Sequence, residues 1–103
     1  MVYGWENLEV ATDLNNLAGL LSHQGNFLEA EPLYREALEI KKKVLGPYHP
    51  SIATGLNNLA VLLSRQGKKM EANKLGKEAL AIWTRALGPD HPNTLEAQED
   101  WGQ

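Results

Sequence analysis

The residue types that most often carry chemistry are few in this sequence, and their spacing gives them little to do together. Histidine occurs at 23, 49 and 91. His49 and His91 each stand directly before a proline, so they read as residues that hold a turn, and His23 stands alone. Cysteine is absent, which excludes a disulfide framework and a thiolate metal site. No HExxH, nucleophile elbow, glycine-rich phosphate loop or close carboxylate pair with a local base is present. The reading is therefore of a protein that is not an enzyme and uses no cofactor or metal. What recurs instead is the carboxamide. Asn15-Asn16 returns as Asn57-Asn58. Asparagine is a poor choice inside a helix. Its amide both donates and accepts, so a ladder of such groups can grip a peptide backbone without reading its sequence. The same amides can instead bond a neighbouring helix and hold two elements together; both roles stand open.

The elements that must position these residues come from an internal repeat. Shifted by 42 positions, residues 12–53 match residues 54–95 at 23 places. The matches include Leu14, Asn15, Asn16, Leu17 and Ala18 with Leu56, Asn57, Asn58, Leu59 and Ala60. Each unit reads as two helices. Leu14, Leu17, Ala18 and Leu21, like Leu56, Leu59, Ala60 and Leu63, fall at i, i+3, i+4 and i+7, one apolar stripe. Gly25 and Gly67 follow each stripe as caps. A second amphipathic helix carries Ala30, Leu33, Tyr34, Ala37, Leu38 and Ile40, repeated as Ala72, Leu75, Ala79, Leu80 and Ile82. Asn26 with Glu29 has capping-box spacing. Gly46-Pro47 and Gly88-Pro89 end the second helices, and Pro50 and Pro92 suit the first turn of the next. Pro32 removes one bond inside a helix and predicts a mild bend. Strand signals are missing, so the chain is all-α.

Pro92–Gln103 begins a third copy of the first helix with no partner helix after it. Trp101 replaces Leu59 there; Trp5, Trp83 and Trp101 read as packing residues, with an exposed apolar face at Trp101 as the alternative. Val2 and Gly4 lie 42 residues before Val44 and Gly46, and Asn7 occupies the place of His49 as a helix cap. Five helices result: two hairpins, about 8–46 and 50–88, and a terminal helix at 92–103, together one repeat domain over 1–103. The chain is expected to be a piece of a longer array, or else a short protein whose last helix is a cap. Replacing Leu17 or Leu59 by alanine is expected to cost about 2–5 kcal/mol.

Charge and length narrow the class further. The net charge of -3 over 103 residues carries no nucleic-acid or membrane footprint. No apolar run approaches the roughly 20 residues of a membrane span. Neither a basic leader nor an apolar core opens the chain, so no signal peptide is expected and the setting reads as cytoplasmic. The charge is uneven: -3 up to Ala53, +4 from Thr54 to Gly88, and -4 thereafter.

The run Leu14 to Ala37 resembles the tetratricopeptide repeat. Its large–small and small–aromatic–small pattern is met by Leu14, Leu17, Ala18, Leu21, Ala30, Tyr34 and Ala37. The 42-residue period and the segments LNNLAGLL, EAEPLYREALEI and LGPYHP are similar to the kinesin-light-chain subtype. Gly76 departs from it, standing where Tyr34 supplies the aromatic and leaving a gap. The resemblance implies an α-solenoid of antiparallel hairpins in a right-handed superhelix, whose concave groove is lined by the first helix of each pair. By matching position it places Thr12, Asn15, Gly19, Ser22 and His23, then Thr54, Asn57, Val61, Ser64 and Arg65, in that groove, with Glu96 and Glu99 added by the third helix. Asn16 and Asn58 are second candidates. Gly19 leaves room for a ligand or is neutral drift. Arg65, Lys68 and Lys69 form a basic edge that would favour an acidic peptide, and a solvated helix end explains them as well. Lys41, Lys42 and Lys43 complement a helix dipole.

Two functions follow as expectations. The first is a scaffold that binds a segment of another protein in the groove, with partner identity open. The alternative is an architectural module that stacks end to end on further repeats or on its own copy, a homo-oligomer formed through exposed repeat ends. No nucleic-acid or membrane partner is expected.

Overall fold

Most helix boundaries are set by residue types that recur at the repeat interval. The structure, a computed structural model, describes residues 7–102. It contains α1 (Leu8–His23), α2 (Phe27–Leu45), α3 (Pro50–Arg65), α4 (Lys69–Leu87) and α5 (Pro92–Trp101), and no strand among the described residues. The expectations for Val2, Gly4 and Trp5 lie outside the described residues. The first-helix starts are capped as their sequences require. Asn7 Oδ1 accepts from the Val10 amide at 2.9 Å. Ahead of α3 and α5, His49 Nδ1 accepts from Ser51 at 3.0 Å and His91 Nδ1 accepts from Asn93 at 3.1 Å. Each imidazole thus satisfies a backbone donor that helix geometry leaves orphaned, with proline at the next position.

The α1–α2 and α3–α4 links close alike. Gly25 takes φ +85° and Gly67 φ +82°, a left-handed conformation that a side chain would strain. Gly25 N donates to Ser22 O at 3.0 Å and Asn26 N to Leu21 O at 2.8 Å; Gly67 and Lys68 make the matching pair to Ser64 and Leu63. This pair of bonds is a Schellman closure. It also corrects the expected capping box. The second bond fixes Asn26 at φ -86°, ψ 65°, outside the extended region a capping side chain needs, and Asn26 makes no cap bond. Lys68 occupies the same conformation in the second unit. Pro32 sits within α2 without interrupting it.

The chain divides into two compact units, the first ending at Pro47 and the second beginning at Tyr48. In the first, α1 packs on α2: Ala11, Ala37 and Ile40 are buried together, with Val10, Leu14 and Val44 against them. In the second, α3 packs on α4, and α4 on α5. Ala60, Ala72 and Ala79 are buried in this unit beside Leu56, Leu59 and Leu63. The expectation for Leu17 fails here. Leu17 is 47% exposed and Leu20 55%, whereas their counterparts Leu59 and Leu62 are each 1% exposed. An apolar stripe is wider than the strip one partner helix can cover. No described residue of the first unit covers the Leu17–Leu20 side of α1. Thr94 shows the opposite mismatch. It stands where the earlier repeat has buried Ile52, and its hydroxyl is buried without a hydrogen-bond partner.

Leu59→Ala is expected to lower stability by about 2–5 kcal/mol, and Leu17→Ala by under about 1 kcal/mol. Denaturant melts of the two variants check this, and equal losses would contradict the difference in burial. Thr94→Val should raise stability by about 1–2 kcal/mol, because it removes an unsatisfied hydroxyl at nearly constant volume.

Candidate functional site

The second unit holds a polar cleft where α3, α4 and α5 converge. A cavity of ≈ 170 Å³ is lined by Thr54 and Asn57 from α3, Trp83 from α4, and Asn93, Glu96, Ala97 and Asp100 from α5. Three of these, Thr54, Asn57 and Glu96, are residues the repeat pattern assigns to the groove. Trp83, Asn93 and Asp100 are additions the sequence did not announce. Trp83 is only 6% exposed, and its Nε1 has no hydrogen-bond partner. No basic residue lines the cavity.

One cavity residue, Asn57, is held from outside the lining by Trp101. Trp101 is 8% exposed, so it packs, and the alternative of an exposed apolar face is not met. The physical reason is Gly76. A Cβ placed on Gly76 would overlap Cδ2, Cγ and Cε2 of Trp101, so the indole lies directly against the α4 backbone. The gap expected from the missing aromatic is thus filled from α5. Trp101 Nε1 in turn donates to Asn57 Oδ1 at 2.8 Å, which ties α5 to α3. In this copy the asparagine oxygen has a structural task, and its Nδ2 remains as a donor beside the cavity.

The first unit treats the same positions differently. Asn15 Oδ1 is buried without a partner. The position 42 residues before Trp101 is Leu59, which has no donor to offer. The counterpart of Trp83 is Lys41, whose ammonium burial pushes below the ordinary lysine range. A Cβ at half-buried Gly19 would meet the Tyr34 hydroxyl at an ordinary 3.5 Å, so a methyl group fits there. Thr12 donates its hydroxyl to Leu8 O at 2.9 Å. Asn16, His23 and Arg65 are exposed, Asn58 is half-buried, and Ser22 is buried. Half-buried Ser64 accepts from Lys69 Nζ at 3.2 Å, at the opposite end of α3 from the cleft. The structure therefore brings Thr54 and Asn57 into one cavity and leaves Ser64 and Arg65 outside it. No group of three or more His, Cys, Asp or Glu suited to a metal occurs among the described residues. No described helix is long and apolar enough to cross a membrane.

Hairpins of nearly constant length, closed by glycine and repeated at a fixed interval, define a helical-repeat protein. Residues 9–82 match the tetratricopeptide repeat model, and the chain belongs to that family. Among solved structures it is similar to the nearly identical TPR-like repeats assigned to a kinesin light chain of Podosopora anserina, at 26% identity and a TM-score of 0.87. That match covers 97% of this chain and 47% of the other, and a single-site variant of the same protein matches to the same degree. BtubC (BKLC) from P. vanneervenii shares the fold at 24% identity and a TM-score of 0.84, over 93% of this chain and 38% of that one. The chain thus spans less than half the length of these relatives. No curated protein matches it in sequence. The all-α repeat fold and the kinesin-light-chain-like subtype expected from the sequence are borne out. Repeats of this family generally mediate protein–protein interaction, and the fold is typically a non-enzymatic scaffold.

Asn57→Ala should cost about 1–3 kcal/mol, because it strands the buried Trp101 N–H, while Asn15→Ala should stay within about 0.5 kcal/mol. Gly76→Ala should destabilise by about 1–3 kcal/mol despite the better helix propensity of alanine, because the methyl overpacks against the indole. Chemical denaturation followed by circular dichroism reads both, and a Gly76→Ala variant more stable than the parent would show that Trp101 yields freely.

Proposed function

We propose that the chain is a peptide-binding scaffold in which each unit offers the polar face of its first helices, α1 in the first and α3 with α5 in the second, to an extended segment of a partner protein. The observation that carries this reading is the α3–α4–α5 cleft. It gathers groove-position residues Thr54, Asn57 and Glu96 with Asn93 and Asp100 around one open polar cavity. Side chains that donate and accept can bond the backbone of an extended segment laid along them.

The test is binding to an array of short extended peptides, read for the parent and for Thr54→Val with Asn93→Ala, a pair that spares the Asn57–Trp101 bond. Loss of capture with an unchanged melting curve is expected. Capture by the variant equal to that of the parent would sink the assignment.

A second reading, self-association, is favoured by one observation. Leu17 and Leu20 present an exposed apolar stripe on α1 where the repeat's other copy is buried. Exposed solenoid faces are adhesive. Under this reading sedimentation shows dimers that Leu20→Glu disperses. A monomer at every concentration and salt level removes it.

A further inference from the structure

We propose that the second unit carries an acid-sensitive latch: protonation of His49 and His91 removes the caps of α3 and α5, loosens the helix starts that line the cleft, and weakens the hold on a bound segment. This inference rests on the peptide-scaffold reading and adds the condition under which that scaffold lets go.

The latch lies in the atoms that cap the helices. His49 Nδ1 accepts from the Ser51 amide at 3.0 Å, and His91 Nδ1 accepts from the Asn93 amide at 3.1 Å. An imidazole accepts only through an unprotonated nitrogen, so each ring caps in its neutral form with its proton on Nε2. In imidazolium both nitrogens are donors. Protonation therefore sets one N–H against another and places a positive charge at the positive end of a helix dipole. The capped state holds the neutral ring and the released state takes the extra proton, so the second unit loses stability as pH falls. Over about pH 8 to pH 5 histidine is the side chain that ordinarily changes charge.

The two units differ in this respect. In the first, α1 is capped by Asn7, whose Oδ1 accepts from Val10 at 2.9 Å and does not titrate. In the second, α4 has no side-chain cap, so both side-chain caps belong to histidine. The remaining histidine, His23, lies in the last turn of α1, where a positive charge complements the dipole. Its protonation acts in the opposite sense.

Both capping rings are open to protons from solvent: His49 is exposed and His91 half-buried. The charged groups at this end of the unit are few. Asp90 precedes His91 in the chain, Glu96 stands in the second turn of α5, and Arg85 occupies the last turn of α4, the helix packed on both α3 and α5. The first turns of α3 and α5 hold no acid, and α3 carries no charged residue before Arg65 at its other end. Among the described residues no ion pair involves His49 or His91, so no carboxylate holds a protonated ring in place.

The path from cap to cleft is short. Asn93, whose amide bonds His91, is itself a cleft residue, and Thr54 lies in the second turn of α3. The effect is greatest on α5, which is ten residues long and already carries the buried, unpartnered Thr94 hydroxyl. Its release would withdraw Trp101 from Gly76 and from Asn57.

The test measures hydrogen exchange of the Trp101 indole N–H in the full chain by NMR at about pH 8 and about pH 5.5, each rate divided by that of a free indole at the same pH. The signal is assigned through Trp101→Phe. Undocking of α5 breaks the bond to Asn57, so this proton reports it. Protection is expected to fall about threefold to tenfold on acidification, the scale of one helix cap. His91→Asn supplies the acceptor that Asn7 supplies to α1; it should keep the protection and lose most of the pH response. His91→Ser repeats the test with a different acceptor. Protection unchanged between the two pH values, or a response that persists in both substituted chains, overturns the proposal. Peptide capture is then measured at the same pH values for the parent and for His49→Asn with His91→Asn. Weakening in acid for the parent alone is expected, and equal weakening in both overturns the regulation. If Trp101 responds but no peptide is captured at either pH, the scaffold reading falls and the latch stands. If peptides are captured equally at both and Trp101 does not respond, the latch falls and the scaffold stands.

Discussion

The close approach of paired helices at alanine is the constraint on which the rest of this structure depends. Ala18, Ala30 and Ala37 in the first unit, and Ala60, Ala72 and Ala79 in the second, are at most 1% exposed. A residue without a long side chain brings two helix backbones near one another and leaves the space on either side to leucine, isoleucine or an aromatic ring. A larger residue at these positions would push the pair apart and open voids along the seam. Once that spacing is fixed, the faces turned away from it are fixed too, and these carry the polar residues.

Much of this is legible from residue order. The glycines that close each first helix, the prolines that open the next, and the histidines before them are local signals, and each acts within a few residues of where it stands. Asn26 misleads because its conformation is dictated by the bond its amide makes backward to Leu21, not by its own side chain. Leu17 misleads for a different reason. Its stripe is indistinguishable from that of Leu59, and only the arrangement of neighbours separates 47% exposure from 1%.

The site is half visible in the sequence. Thr54, Asn57 and Glu96 follow from their register, but Trp83, Asn93 and Asp100 join them only because α4 and α5 converge there. One signal for this is present in the residues themselves. A repeat that loses its aromatic at Gly76 and gains one at Trp101 has moved bulk from one helix to the next. Taken as a pair, the two substitutions place the indole against the glycine; separately, each looks like a departure from pattern. The bond from Trp101 to Asn57 also divides the two asparagines by role, since one oxygen anchors a helix and the other has no partner.

The exchange between Gly76 and Trp101 has a consequence for modular construction. Copying residues 54–95 in tandem would place leucine where Trp101 stands, so every copied glycine would face a side chain too short to reach it. Neither would Asn57 find an indole donor. The second repeat is therefore not a free-standing brick, and its natural neighbour on the carboxyl side is a matched component, so a concatemer would have to inherit α5 with it.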